Sequence, residues 1–218
     1  MKTIALAPLT VPGDLEDAER VKDKYESLIS LKLEERGFAI IPSKEFQAVY
    51  KKTMEQMGGV FDPMTGKLDE SKGEALQTHT LRELQRTTHT DAVLYPRLYP
   101  FTVKHVKGVA IWDGVSEPIK GARVDSWIDR YIAAIGVGGA YGTVTALSLV
   151  VVVVDIDAVK MYANSGGVQL LAHFDGVDFK SVTRAELLPS EDYYAKSINL
   201  ALGPLLNPDS SVDGGEGK

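Results

Sequence analysis

The 218-residue chain has no cysteine, which removes disulfides, thiolate nucleophiles and Cys-ligated metals from consideration. Cysteine-free chains suit the cytosol and the periplasm equally, so the compartment stays open. There is no excess of positive charge either: 24 Lys and Arg face 30 Asp and Glu, for a net charge of −6. A nucleic-acid binder needs a basic face, so the balance argues against nucleic acid as the main partner. The local group Lys104, His105 and Lys107 reads as a solvated strand face. An uninterrupted export signal is missing as well. The apolar stretch Ile4 to Leu9 is broken by Pro8 and followed by Pro12, whereas a signal wants about 7–15 unbroken apolar residues. Two expectations follow, a cytoplasmic protein or a chain that begins after a removed leader. No internal repeat, G-x-S-x-G elbow or P-loop lysine is present. Asp62, Asp69 and Glu70 do not have calcium-loop spacing, so 60–73 reads as a surface loop.

What is present is an ordinary globular composition, 44% apolar and 25% charged. A chain this long hides roughly 70% of the surface that its unfolded form exposes. Its most unusual stretch is YIAAIGVGGAYGTVTALSLVVVVV, residues 131–154, in which 24 positions carry no charge. The number suits a membrane-spanning helix, but four glycines (136, 138, 139, 142) and several hydroxyls dilute it. The strongly apolar part, Val144 to Val154, is dominated by valine, whose branched Cβ favours a strand. We therefore expect a long strand buried on both faces. The glycines miss the dinucleotide spacing by one position and precede a strand rather than follow one, so a turn at Gly136–Gly142 is expected instead of a phosphate loop.

Around that strand the chain reads as α/β. Thr3 to Leu9 suits a buried strand. Ala18, Val21, Tyr25, Leu28 and Leu31 form a helical stripe between Asp14, a candidate cap, and Gly37, a candidate stop. FAIIP (38–42) is a second strand, and the βαβ unit makes the two parallel. Ser43 is placed to cap a helix with Phe46, Val49, Tyr50, Met54 and Met57 inward, and another helix runs from Glu74 to about Thr88 with Ala75, Leu81 and Leu84 inward. Residues 92–115 alternate like an antiparallel meander with a turn at Asp113-Gly114, and Pro96 and Pro100 point to an edge or bulge. Ser165-Gly166-Gly167 separates the valine strand's hairpin from VQLLAHF (168–174). A last helix lies near Ser190 to Leu206, before a polar tail, 207–218, expected to be disordered. The whole reads as one domain, 1–206, with a mixed sheet of five or six strands and an excursion at 113–143.

No catalytic constellation is legible. His79 and His89 read as surface or capping residues. His173 could pair with Asp175 but has no nucleophile signature, and Asp155 with Asp157 read as solvated carboxylates at a strand end. Cofactors and metals are not expected. SWIDRYIAAI (126–135) can line up Trp127, Ile128, Tyr131, Ile132 and Ile135 on one helical face. With Trp112 these are the candidate partner-contact residues, either packing on the chain's own sheet or meeting a partner subunit or a membrane surface.

IALAPL (4–9), FAIIPSKEFQAV (38–49), TDAVLYPRL (90–98) and LVVVVVDIDAVKMYANSGG (149–167) occur in that order. In this order and pattern the chain resembles the TolB amino-terminal-domain-like envelope proteins, which include CsgG-type secretion lipoproteins and LpoB-type synthase activators. Thr90 stands where that family favours glycine, and Ala158-Val159 where it favours Thr-Gly. The resemblance implies a non-enzymatic module, exported to the periplasm or outer membrane and often lipid-anchored, that binds envelope proteins or self-associates. Pore formation of the CsgG kind does not carry over, because 113–143 is not a pair of alternating ten-residue strands. A second reading is a small-molecule or nucleotide-binding protein or enzyme using the Gly136–Gly142 turn, and a third is an oligomeric pore subunit.

Overall fold

A computed structural model describes residues 1–122 and 142–207, apart from Asp14, Glu16, Pro63 and Leu68. The Asp14 cap, the 126–135 stripe, most of the glycine turn and the tail after Asn207 lie outside the described residues.

The chain is α/β; among the described residues seven strands, rather than five or six, form one sheet, with a separate two-stranded sheet. The order is β2 (Ala39–Ile41), β1 (Thr3–Leu6), β3 (Ala92–Val106), β4 (Val109–Trp112), β5 (Val115–Pro118); β6 (Gly142–Asp155) pairs with β3 and with β7 (Lys160–Leu170). The valine run is extended as its branched side chains require, and consecutive residues Ala146 to Leu149 are all fully buried, so both strand faces are covered. Among the described residues no helix is long and apolar enough to cross a membrane.

Contacts divide the chain into two compact units. The first holds residues 1–10, 19–96 and 151–163. In it β1 pairs in parallel with β2 on one side and β3 on the other. Helix α1 (Ala18–Glu34) connects β1 to β2, and α2 (Ser43–Gln56) and α3 (Glu70–Thr88) connect β2 to β3. Right-handed crossovers in opposite directions put α1 on one face of the sheet and the α2–α3 pair on the other. Ala5 of β1 and Ala7 just after it, with Val93, meet Phe46, Leu81 and Leu84 on the α2–α3 side. Strand alternation leaves Ile4 and Leu6 for the α1 side. There Val21, Tyr25, Ile29 and Leu33 are fully buried, each contributing about 1.5–3 kcal/mol. The expected stripe is therefore corrected after Tyr25: Leu31 is exposed, because Ile29 and Leu33 continue the i, i+4 row more directly. Gly37, at φ +83°, ends the segment as expected.

Two other expectations in this unit change. Pro42, not Ser43, occupies the cap position of α2, and the Ser43 hydroxyl instead donates to Glu26 of α1. Helix α3 starts at Glu70, four residues before Glu74, because Asp69 accepts the Lys72 N–H at 3.2 Å and caps the first turn.

The second unit holds residues 11–18, 97–150 and 164–218. Lys107-Gly108 and Asp113-Gly114, all at positive φ, turn β3 into β4 and β4 into β5. The 113–143 stretch thus begins with a sheet strand, not a departure from the sheet. Pro96 and Pro100 lie within β3 rather than on an edge strand. They fall after its pairing with β1 ends at Leu94 and before its pairing with β4 starts at His105, so neither of those two ladders uses their missing N–H. The expected break at Gly166-Gly167 is the interior of β7. A Cβ on Gly166 would lie 2.2 Å from the Ser197 carbonyl of α4 (Glu191–Leu206), and one on Gly167 2.5 Å from Val115. Both glycines are there for close approach, one on each strand face. Strands β8 (Ala172–Phe174) and β9 (Phe179–Ser181) form the small antiparallel sheet.

Candidate functional site

In open parallel sheets the strand flanked by crossovers of opposite direction leaves a crevice at its carboxyl end, where ligands bind. β1 is that strand. A cleft of about 950 Å³ lies there, lined by Ala7, Pro8 and Thr10 after β1, by α1, α2 and α3, and by Tyr95 of β3. The volume is at the upper end for small-molecule sites.

Its wall is built by identifiable bonds. Glu26 of α1 accepts the Leu9 N–H at 2.9 Å and the Ser43 hydroxyl, tying the exit of β1 and the start of α2 to α1. That commits both groups to structure. The N–H groups of Ala7 and Thr10 go to the Leu94 and Pro96 carbonyls at 2.9 and 3.1 Å. Along the other side runs an aromatic row: Tyr50 stacks on Phe46 at 6.1 Å, and Phe46 meets Tyr95 edge-on at 5.9 Å. Burial pushes the Tyr95 phenol up to about 12, against a hydrogen bond from Gln77. Lys22 pairs with Glu19 at 2.8 Å.

The unexplained group in this wall is Thr80, in the middle of α3. It is 1% exposed, and its hydroxyl has no hydrogen-bond partner. Its neighbours Thr78, Thr87 and Thr88 all donate to carbonyls four residues back. The Ser148 hydroxyl within β6 and the Nδ1 atoms of His105 and His173 are orphaned too; of these His173 lines a smaller pocket in the second unit, whereas Thr80 lines the larger cleft. Sequence reasoning missed this site. The traceable signals were the short βαβ opening and the aromatic positions Phe46, Tyr50 and Tyr95.

The residues singled out from sequence fall elsewhere. Trp112 is 5% exposed in the core of the second unit, and its Nε1 donates to the Leu147 carbonyl at 3.3 Å. It is a core residue, so its place among partner anchors is corrected. Trp127, Ile128, Tyr131, Ile132 and Ile135 lie outside the described residues. His89 is the left-handed C-cap of α3. Asp155 accepts the N–H groups of Asp157 and Val159 at 2.9 and 2.8 Å and so shapes the β6–β7 turn. Asp175 does the same for Val177 and Asp178, both at 2.9 Å, and its ionic partner is Lys180 rather than His173. Asp62 likewise caps its own turn. Among the described residues no three His, Asp or Glu side chains could hold a metal ion.

The second unit has a smaller pocket of about 230 Å³, lined by Glu117, Lys120, Gln169, His173, Glu186 and Tyr193, among others. Burial raises the Glu117 carboxyl above its usual range although it accepts the Leu170 N–H at 3.2 Å. Lys120, at 2.5 Å, and Thr183 hold Glu186 down to about 2.

No known family's sequence profile matches the chain, and no curated protein does. Among solved structures, a lipoprotein of Neisseria meningitidis is similar over 87% of this chain and 91% of its own, with 15% identity and a TM-score of 0.38. A hypothetical protein of Chlamydia trachomatis is similar over 96% and 94%, with 10% identity and a TM-score of 0.36. Likeness of that order decides neither fold nor role.

Proposed function

We propose that the chain is a non-enzymatic binding module of the bacterial envelope that holds its ligand in the cleft at the carboxyl end of β1. One observation carries the binding half: the buried Thr80 hydroxyl lining that cleft has no partner. Leaving such a group unsatisfied costs about 1–3 kcal/mol, and a ligand that supplies the missing bond recovers it. Two polar groups of the wall, Ser43 and Glu26, are committed to holding helices together. The envelope half is supported by the sequence resemblance alone, from IALAPL through the valine hairpin. Contacts with envelope proteins or with a second copy belong to the same reading, through the apolar stripe at 126–135.

Thermal-shift screening with polar small molecules tests the site. A ligand at one hundred times its Kd adds about 2.7 kcal/mol of stability. That gain should shrink in Thr80→Val; an equal gain in parent and variant would place the ligand elsewhere. Cell fractionation that returned the natural product in the cytosol would remove the envelope half.

A further inference from the structure

From the chemistry of the cleft wall we infer that its ligand is a neutral saccharide, bound through two or more sugar rings. This rests on the cleft being the binding site.

Three features narrow the class. First, the loop after β1 has no N–H to offer an anion. Those of Ala7, Leu9 and Thr10 are already bonded, and Pro8 has none. Phosphate sites at such crevices depend on free backbone N–H groups, so this loop offers a nucleotide no phosphate cradle. Second, the charges nearly balance. Glu19, Asp23 and Glu26 face Lys22 and Lys44, a net of −1, with Lys22 paired to Glu19 and Glu26 already accepting two hydrogen bonds. A polyanion is therefore not matched, and a polycation finds only one excess charge. Third, what is left is uncharged and amphipathic. The Thr80 and Tyr95 hydroxyls and the Gln47 and Gln77 amides can exchange hydrogen bonds. Tyr50, 39% exposed and backed by Phe46 in a stacked pair, offers a flat ring face. A pyranose has that pairing of surfaces, a C–H face and a hydroxyl rim. A peptide bound by strand addition would need an open strand edge for its main chain, and the strand residue here, Tyr95, sits on an interior strand. A cleft of about 950 Å³ exceeds what one ring fills.

The test is an amide-shift titration of the full ¹⁵N-labelled chain with maltotriose, cellotriose and triacetylchitotriose, and separately with ATP and spermidine. The expected result is that at least one trisaccharide shifts the amides of Gln47, Tyr50, Gln77 and Thr80, while ATP and spermidine leave them in place. Tyr50→Ala, at an exposed position, should then weaken binding about tenfold, which is about 1.4 kcal/mol. ATP or spermidine moving those amides would overturn the saccharide assignment while leaving the cleft as the site. A trisaccharide that moved only amides elsewhere would overturn both readings. Silence from all three trisaccharides would also overturn the inference.

Discussion

Thr80→Val separates two descriptions of the cleft by the sign of its effect. The substitution exchanges a hydroxyl for a methyl of nearly the same shape, and the two residues have similar helix propensities. No cavity opens, and no helix cost is added. At 1% exposure without a partner, the hydroxyl is paying a desolvation penalty in the free protein of about 1–3 kcal/mol. Removing it should therefore stabilise the free chain by about 1–2 kcal/mol. At about 2–4 °C per kcal/mol for a protein of this size, the melting temperature should rise by roughly 2–8 °C. Calorimetry reads the shift, and urea unfolding with an unchanged m-value shows that compactness is the same. The variant should also bind ligand less well, so stability and affinity move in opposite directions. A variant less stable by about 1 kcal/mol would show that the hydroxyl already makes a satisfied hydrogen bond, and the reasoning would fail.

Three further outcomes are expected. Gly166→Ala forces a methyl to 2.2 Å from the Ser197 carbonyl, a backbone atom that cannot swing aside. It should cost about 3 kcal/mol, whereas Gly73→Ala within α3, with open space around it, should stabilise by about 0.4–1 kcal/mol; equal melting temperatures for the two would contradict the packing of α4 on β7. Glu117, whose carboxyl is raised by burial, favours folding while protonated, and that contribution is lost as pH rises from the unfolded value through the folded one. Glu117→Gln should thus raise the melting temperature at pH 7 and leave it unchanged well below the ordinary carboxylate range; equal effects at both pH values would refute the assignment. Trp127→Ala with Ile128→Ala should reduce self-association measured by light scattering, and an unchanged mass or a monomeric parent would count against the contact role of 126–135.

The local grammar of the fold was legible wherever short-range pattern decides structure. The βαβ opening follows from two apolar runs around one helical stripe, and the β6 strand from a run of branched side chains with no charge. Asp113-Gly114 is a turn by its own backbone preference. Positions set by distant packing were not legible. Ser165-Gly166-Gly167 looks like a break in one dimension, but α4 on one face and Val115 on the other require residues without side chains there. Trp112 looks like an exposed anchor until β6 covers it. Ser43 has the identity of a cap, yet Glu26, 17 residues earlier, claims its hydroxyl. The cleft was hidden for the same reason, since threonine in a helix says nothing of its own burial, and Thr80 is enclosed only once α2 and α3 pack together.

The most direct measurement is a crystal structure of the full chain with whichever ligand raises its melting temperature. The account predicts that ligand bounded by Tyr50 and Tyr95, with a polar atom about 2.8 Å from the Thr80 hydroxyl. A ligand seated in the pocket beside Glu117 and Tyr193, with Thr80 bonded to its own helix, would contradict it.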